Sequence, residues 1–300
     1  MKKKTYLFAL MAMALALGSC SDNENGIGGE ASKYITVSTN IGSMTRVATD
    51  ADGSQTFEEG DKISVYAWTG EATVAPETRE RVVNNAINKL TNGSWVSTPQ
   101  MLWKNNRDKH YFIGVYPISA ISDLAAGEYT FDETKQVESD LLVAVNKDGL
   151  SYNVDEQQTV PLTFTHVMAK LVVNLTYKNQ WGGIPTVEKV VVGNAAKEAT
   201  INYLTKVVTP STTAKEDFSL PEITENTKYV SVIIPQEDVK QLTIVIGGKN
   251  FVYDNGTPFK LESGKITTVN LEVGRDEIKL GDVKITDWEN GSTFSGEALN

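Results

Sequence analysis

Apolar and polar residues alternate along most of this chain, and the period is two. Ile35, Val37 and Ile41 fall on one face of an extended segment, with Tyr34, Thr36 and Ser38 on the other. That alternation marks a half-buried strand. The same pattern predicts strands over 62–68, 83–90, 111–116, 141–145, 162–177, 187–192, 229–234, 242–246, 251–253, 266–273 and 277–285. The segments are rich in Val, Ile, Thr and Tyr. Turn dipeptides separate them: Asp52-Gly53, Asn92-Gly93, Asp148-Gly149, Gly182-Gly183, Asn255-Gly256 and Asn290-Gly291. Helix-like sequence is confined to the short stretch Ile118 to Ala126. Short strands with turns between them predict an all-β chain of antiparallel β-sandwiches. The polar run Asp155-Glu156-Gln157-Gln158 interrupts the apolar pattern before a strand that begins at Val160. The expected join therefore lies at 155/156, between an amino-terminal sandwich (33–155) and a carboxyl-terminal one (156–300).

The first twenty residues follow a different rule. Lys2, Lys3 and Lys4 precede an apolar core from Tyr6 to Leu17, and Leu17-Gly18-Ser19-Cys20 closes it. A basic start, about a dozen apolar residues and small residues before the cut predict a secretory signal over 1–19, too short to span a bilayer. Ending on Cys, it resembles the lipobox of bacterial lipoproteins, which implies that Cys20 is acylated and that 20–32 is a polar, Gly-rich tether. Asp22 and Glu24 behind it resemble the signal that carries some lipoproteins to the cell exterior. Cys20 is the only cysteine, so the mature chain has no disulfide framework and no thiol nucleophile or thiolate metal site. Loss of 1–19 removes three lysines and no acids, taking the net charge from −10 to −13. So acidic a surface repels phosphate backbones and anionic headgroups, which excludes nucleic acid as a partner and leaves the acyl chain as the outer-membrane contact.

Catalytic chemistry finds little support. The two histidines, His110 and His166, lie in separate strand contexts, with no nucleophile elbow nearby. Asp50-Ala51-Asp52-Gly53 lacks the later ligands of a calcium loop, and no phosphate-binding glycine pattern occurs. The chain reads as a non-enzyme with no cofactor and no metal. Tyr66, Trp68, Trp95 and Trp103 admit two readings, a stacking platform for a glycan or ordinary packing within a sandwich, and the second is the commoner use of such residues.

Several blocks together resemble one family. Thr56-Phe57-Glu58-Glu59-Gly60-Asp61-Lys62-Ile63-Ser64-Val65-Tyr66-Ala67, preceded by Met44-Thr45-Arg46, is similar to the amino-terminal signature of the fimbrillin-like proteins, the type V pilin group. Asp140 to Ala144, Leu162 to Leu171 and Ile285-Thr286-Asp287-Trp288 follow in that family's order. The resemblance implies two tandem transthyretin-like β-sandwich domains, export as a lipoprotein and no catalysis. It also implies a structural or accessory role in an adhesive fimbria, with proteolytic removal of the first strand before assembly. The implied partners are other fimbrial subunits joined by strand exchange, with host or bacterial surface ligands beyond them. A surface glycan-binding lipoprotein is the alternative.

The residues suit that scheme. Behind the strand of Ile35, Val37 and Ile41 runs Gly42-Ser43-Met44-Thr45-Arg46-Val47, small and polar enough to admit a protease, and a trypsin-like cut between Arg46 and Val47 would detach lipid, tether and strand together. A vacated groove with free strand edges accepts a strand from elsewhere. Ile278, Leu280, Val283 and Ile285 form a candidate donor, with Gly281-Asp282 permitting a bulge that keeps them on one face. The same residues equally suit the last strand of the second sandwich.

Overall fold

A computed structural model describes residues 33–42, 56–153 and 158–288. Strands dominate, and the helices among the described residues are two 3-10 turns, Thr78–Glu80 and Asn179–Trp181. The first sheet has seven strands in the order β1 (Thr36–Ile41), β8 (Thr159–His166), β7 (Leu142–Leu150), β5 (His110–Tyr116), β2 (Lys62–Thr69), β3 (Arg81–Thr91) and β4 (Ser94–Thr98). All its neighbours are antiparallel except β1 and β8, which run parallel.

The carboxyl-terminal half stacks two further sheets about a common apolar layer. One has the order β13 (Lys215–Ser219), β10 (Val187–Ala196), β16 (Gln236–Ile246), β17 (Lys249–Leu261). The other has β14 (Glu222–Thr224), β15 (Lys228–Ile233), β9 (Ala169–Tyr177), β18 (Lys265–Val273), β19 (Ile278–Asp287). A small third sheet, β12 (Val207–Pro210), β11 (Glu198–Asn202), β6 (Gly127–Thr130), ties the halves together, because β6 precedes and β11 follows the junction.

Strand β2 explains how the layers meet. Its residues Ile63 to Trp68 are all buried, an unbroken run suited to a strand covered on both faces. Ile63, Val65 and Ala67 join a cluster with Val37, Phe112, Leu162 and Phe164, while Tyr66 and Trp68 point into the larger cluster that continues through Leu171 and Val269 to Trp288. Gly114 on β5 makes room for this packing. A Cβ there would stand 2.7 Å from the Phe164 ring.

Most expected strands are present, and three departures have physical causes. The single strand expected over 162–177 is two, β8 and β9, because the chain changes sheets at Val167-Met168. The Val167 N–H donates to Leu141 O on the amino-terminal side, while the Met168 carbonyl accepts from Gly264 on the other. As a result the first sheet extends past the expected join at 155/156 to His166, and residues 154–157 beside that join lie outside the described residues. Ile118 to Ala126 is not helical. Its backbone is held by side chains instead: the Tyr66 hydroxyl donates to Ser119 O and accepts from Ile121 N–H, and Arg81 donates to Ile121 O (2.7 Å) and Ser122 O (2.6 Å). Six strands, β4, β6 and β11 to β14, were not expected, and all are short, at three to five residues.

Candidate functional site

Three places bear on function: the first strand, the last strand, and a buried cluster between the halves. β1 pairs in register from Thr36 with Thr159 to Ile41 with Phe164, and Gly42 N–H extends the ladder to Phe164 O at 2.9 Å. Its other edge is tied mainly at the start, where Ile35 N–H donates to Met101 O (2.9 Å) and Trp103 N–H to Lys33 O (3.2 Å). Farther along, one indole bond from Trp95 Nε1 to Thr39 Oγ1 (2.9 Å) links β1 to β4. Ile35, Val37 and Ile41 are buried as the alternation predicts. An open cavity of about 870 Å³ lies along this edge, lined by β1 and by Phe57, Leu90, Trp95 and Gln100. Phe57 packs edge-on against both Trp95 (5.3 Å) and Phe164 (5.2 Å) where the chain returns. Burying three such side chains contributes about 1.5–3 kcal/mol each. The expected cleavage residues Arg46 and Val47, and the expected lipid site Cys20, lie outside the described residues.

The last strand, β19, is an edge strand paired antiparallel with β18. Ile278, Leu280, Val283 and Ile285 face Val273, Leu271, Val269 and Thr267 across the ladder, so all four share the inward face. The register shifts opposite Asn270, where Gly281 and Asp282 together face one residue, and this bulge preserves the face. Coverage runs out along the strand: Ile278 and Leu280 pack on the core, while Val283 and Ile285 keep 38% and 39% of their surface exposed. None of the ten residues of β19 is buried.

One residue beyond β19 the situation reverses. Trp288 is fully buried and stacks on the His166 ring, with centroids 4.0 Å apart and planes 14° apart. The Lys170 ammonium lies 5.5 Å from the same indole. His166 Nδ1 donates to Asp140 Oδ1 at 2.6 Å, a charge-assisted geometry that fixes the imidazole orientation. Burial lowers the Lys170 pKa, and the Asp140 carboxylate works against that shift. His166 Nε2 and Asp140 Oδ2 are buried with no partner among the described residues. Two opposed terms follow. Covering an indole of about 150–250 Å² is worth roughly 4–6 kcal/mol, whereas each unsatisfied polar atom costs about 1–3 kcal/mol. The three sequence blocks around Asp140, His166 and Trp288 thus converge here. Their separate positions in the sequence gave no sign of it.

The other candidates have structural placements. His110 opens β5, fully buried. Its Nε2 accepts Lys104 N–H (3.0 Å), so Nδ1 carries the proton toward Asp108 O (3.1 Å), and burial lowers its pKa. The aromatics weighed as a glycan platform do not share an exposed face. Tyr66 and Trp68 belong to the larger cluster, whereas Trp103 and Trp95 pack with the smaller. Trp68 Nε1 is also committed, to Glu71 O at 3.0 Å.

Comparison with known proteins agrees with this architecture. Residues 45–288 match the family model described as fimbrillin-like. A solved candidate cell adhesion protein from Bacteroides uniformis ATCC 8492 is similar with a TM-score of 0.62 at 18% identity, covering 87% of this chain and 98% of its own. Another from Bacteroides ovatus ATCC 8483 gives 0.62 at 18% identity, covering 87% and 100%. A fimbrial protein from Bacteroides vulgatus ATCC 8482 gives 0.52 at 13%, covering 84% and 99%. At such identities the likeness concerns the fold. No curated protein matches the chain.

Proposed function

The chain belongs to the fimbrillin-like family, and from that premise we propose that it is a structural or accessory subunit of a cell-surface adhesive fimbria, assembled by strand donation. It is exported as a lipoprotein, acylated at Cys20 and held at the outer membrane until a trypsin-like protease cuts between Arg46 and Val47. The cut frees β1, and the emptied groove takes a strand from another subunit. The protein is not an enzyme; its partners are other copies and other fimbrial subunits. Two sandwich units carry out this scheme, the first closing at His166 and the second opening at Ala169, with β6 and β11 coupling them.

The observation that carries this reading is the placement of β1. It lies at the sheet edge, it pairs with a single strand, and with the preceding Ile35 its Val37 and Ile41 enter a cluster completed by other strands of the first sheet and by Met101 and Trp103. A strand so placed can leave without unthreading the fold. Its departure would bare apolar floor and the free edge of β8, the requirements of a strand acceptor. β19 supports the donor role through four apolar residues on one face at a sheet edge.

The test is limited trypsin treatment of the full chain in detergent, followed by sizing under native and denaturing conditions. The uncut protein is expected to be monomeric and the cut protein to associate after β1 is released. Arg46→Ala should block both events. Truncation before Glu277 should block association alone when β19 is the donor. Release of the peptide from a protein that stays monomeric at high concentration would overturn the reading.

A further inference from the structure

We infer that Trp288 is the residue that commits the far end of β19 to its own sheet, acting as a latch where Val283 and Ile285 leave the strand without buried side chains. The inference rests on the proposed strand exchange for its biological use, but not for its geometry. All ten residues of β19 are exposed or half-buried, and the outer edge of the strand pairs with no strand among the described residues. The next residue is fully buried. Side-chain attachment is therefore divided between the two ends, Ile278 and Leu280 at the start and Trp288 just past the close, and Trp288 alone is fully buried. Trp288 enters a site that the strand itself does not build: His166 comes from the end of β8, Asp140 from just before β7, and Lys170 from β9.

The polar chemistry of that site makes the latch reversible. With the indole in place, His166 Nε2 and Asp140 Oδ2 are shut away from water without partners. When the indole withdraws, water reaches both atoms and the Lys170 ammonium, so opening recovers solvation that closure gave up. An entirely apolar socket would return nothing on opening. Local opening of β19 is thus expected well below the free energy of global unfolding, and the Trp288 contact sets its frequency.

Native-state hydrogen exchange on the uncut full chain tests this. Trp288→Ala should speed exchange of the β18–β19 ladder amides at least tenfold while leaving the β10–β16 ladder within about twofold. Trp288→Phe, which retains a ring to stack on His166, should give the same localised pattern with a smaller acceleration, and it serves where the alanine variant does not fold. Uniform acceleration of both ladders, or no acceleration of β18–β19, would overturn the inference, since a merely structural tryptophan weakens the whole core. Association after trypsin cleavage is measured separately. Localised exchange without faster association supports the latch and removes β19 as the donor, so the two readings fail independently.

Discussion

Replacing Val37 by Ala should make release of the cleaved first strand faster without disturbing the rest of the sandwich. Val37 is buried, pairs with Val160, and joins Ile35 and Ile41 in the cluster below. Together the three contribute about 5–9 kcal/mol at 1.5–3 each. Truncation to Ala removes two methyl groups at about 0.8 kcal/mol apiece plus a small cavity term, or roughly 1.5–2.5 kcal/mol. Because the strand must leave the groove before its peptide diffuses away, that loss falls mainly on the release step. At about 1.36 kcal/mol per factor of ten, release should quicken roughly ten- to seventyfold. The assay is a time course of free peptide by mass spectrometry after cutting at Arg46, with Ser38→Ala on the exposed face as control. Equal release rates for Val37→Ala, Ser38→Ala and the parent would refute the argument that buried side chains of β1 hold it in place.

Three further outcomes are expected. His110 is held neutral by burial and by the acceptor role of its Nε2, so its folded pKa lies below that of the unfolded chain; below about pH 6.5 the unfolded state binds more protons and stability falls as pH falls. Denaturant midpoints across pH 5–8 should show that slope, and His110→Gln should flatten it while lowering stability at neutral pH. His166→Gln keeps a donor for Asp140 but loses the stack on Trp288, and should cost about 1–3 kcal/mol in urea unfolding. Cys20→Ala should abolish incorporation of labelled palmitate and leave the precursor unprocessed; persistent label would end the lipoprotein reading.

Sequence periodicity was most informative where one face of a strand meets the core and the other meets solvent. Ile35, Val37 and Ile41 alternate cleanly for that reason, and the Gly281-Asp282 bulge was legible because only a two-residue step keeps Leu280 and Val283 on one face. The break at Val167-Met168 was not. The corner itself, Val167 to Ala169, is apolar and buried, so no glycine or proline marks it. The segment from Ile118 to Ala126 misled in the opposite sense: Ile121 and Leu124 are buried, yet Tyr66 and Arg81, more than thirty residues away in the chain, satisfy the backbone that a helix would have satisfied locally. The cluster of Asp140, His166 and Trp288 was invisible for a related reason, since it depends on where three strand ends meet.

The parallel pairing of β1 with β8 also sets the order in which the molecule is built. Thr36 and Thr159, hydrogen-bonded partners, are 123 residues apart, so β1 must wait for a strand made much later before it can dock. Contacts of such long range form late, after local hairpins such as β2–β3 have closed. Every newly made molecule therefore passes through a moment when its own groove is empty. The covalent link from Gly42 to Thr56 keeps β1 at an effective concentration on the order of millimolar during that interval. Self-pairing of β1 is thus favoured by proximity as well as by its contacts.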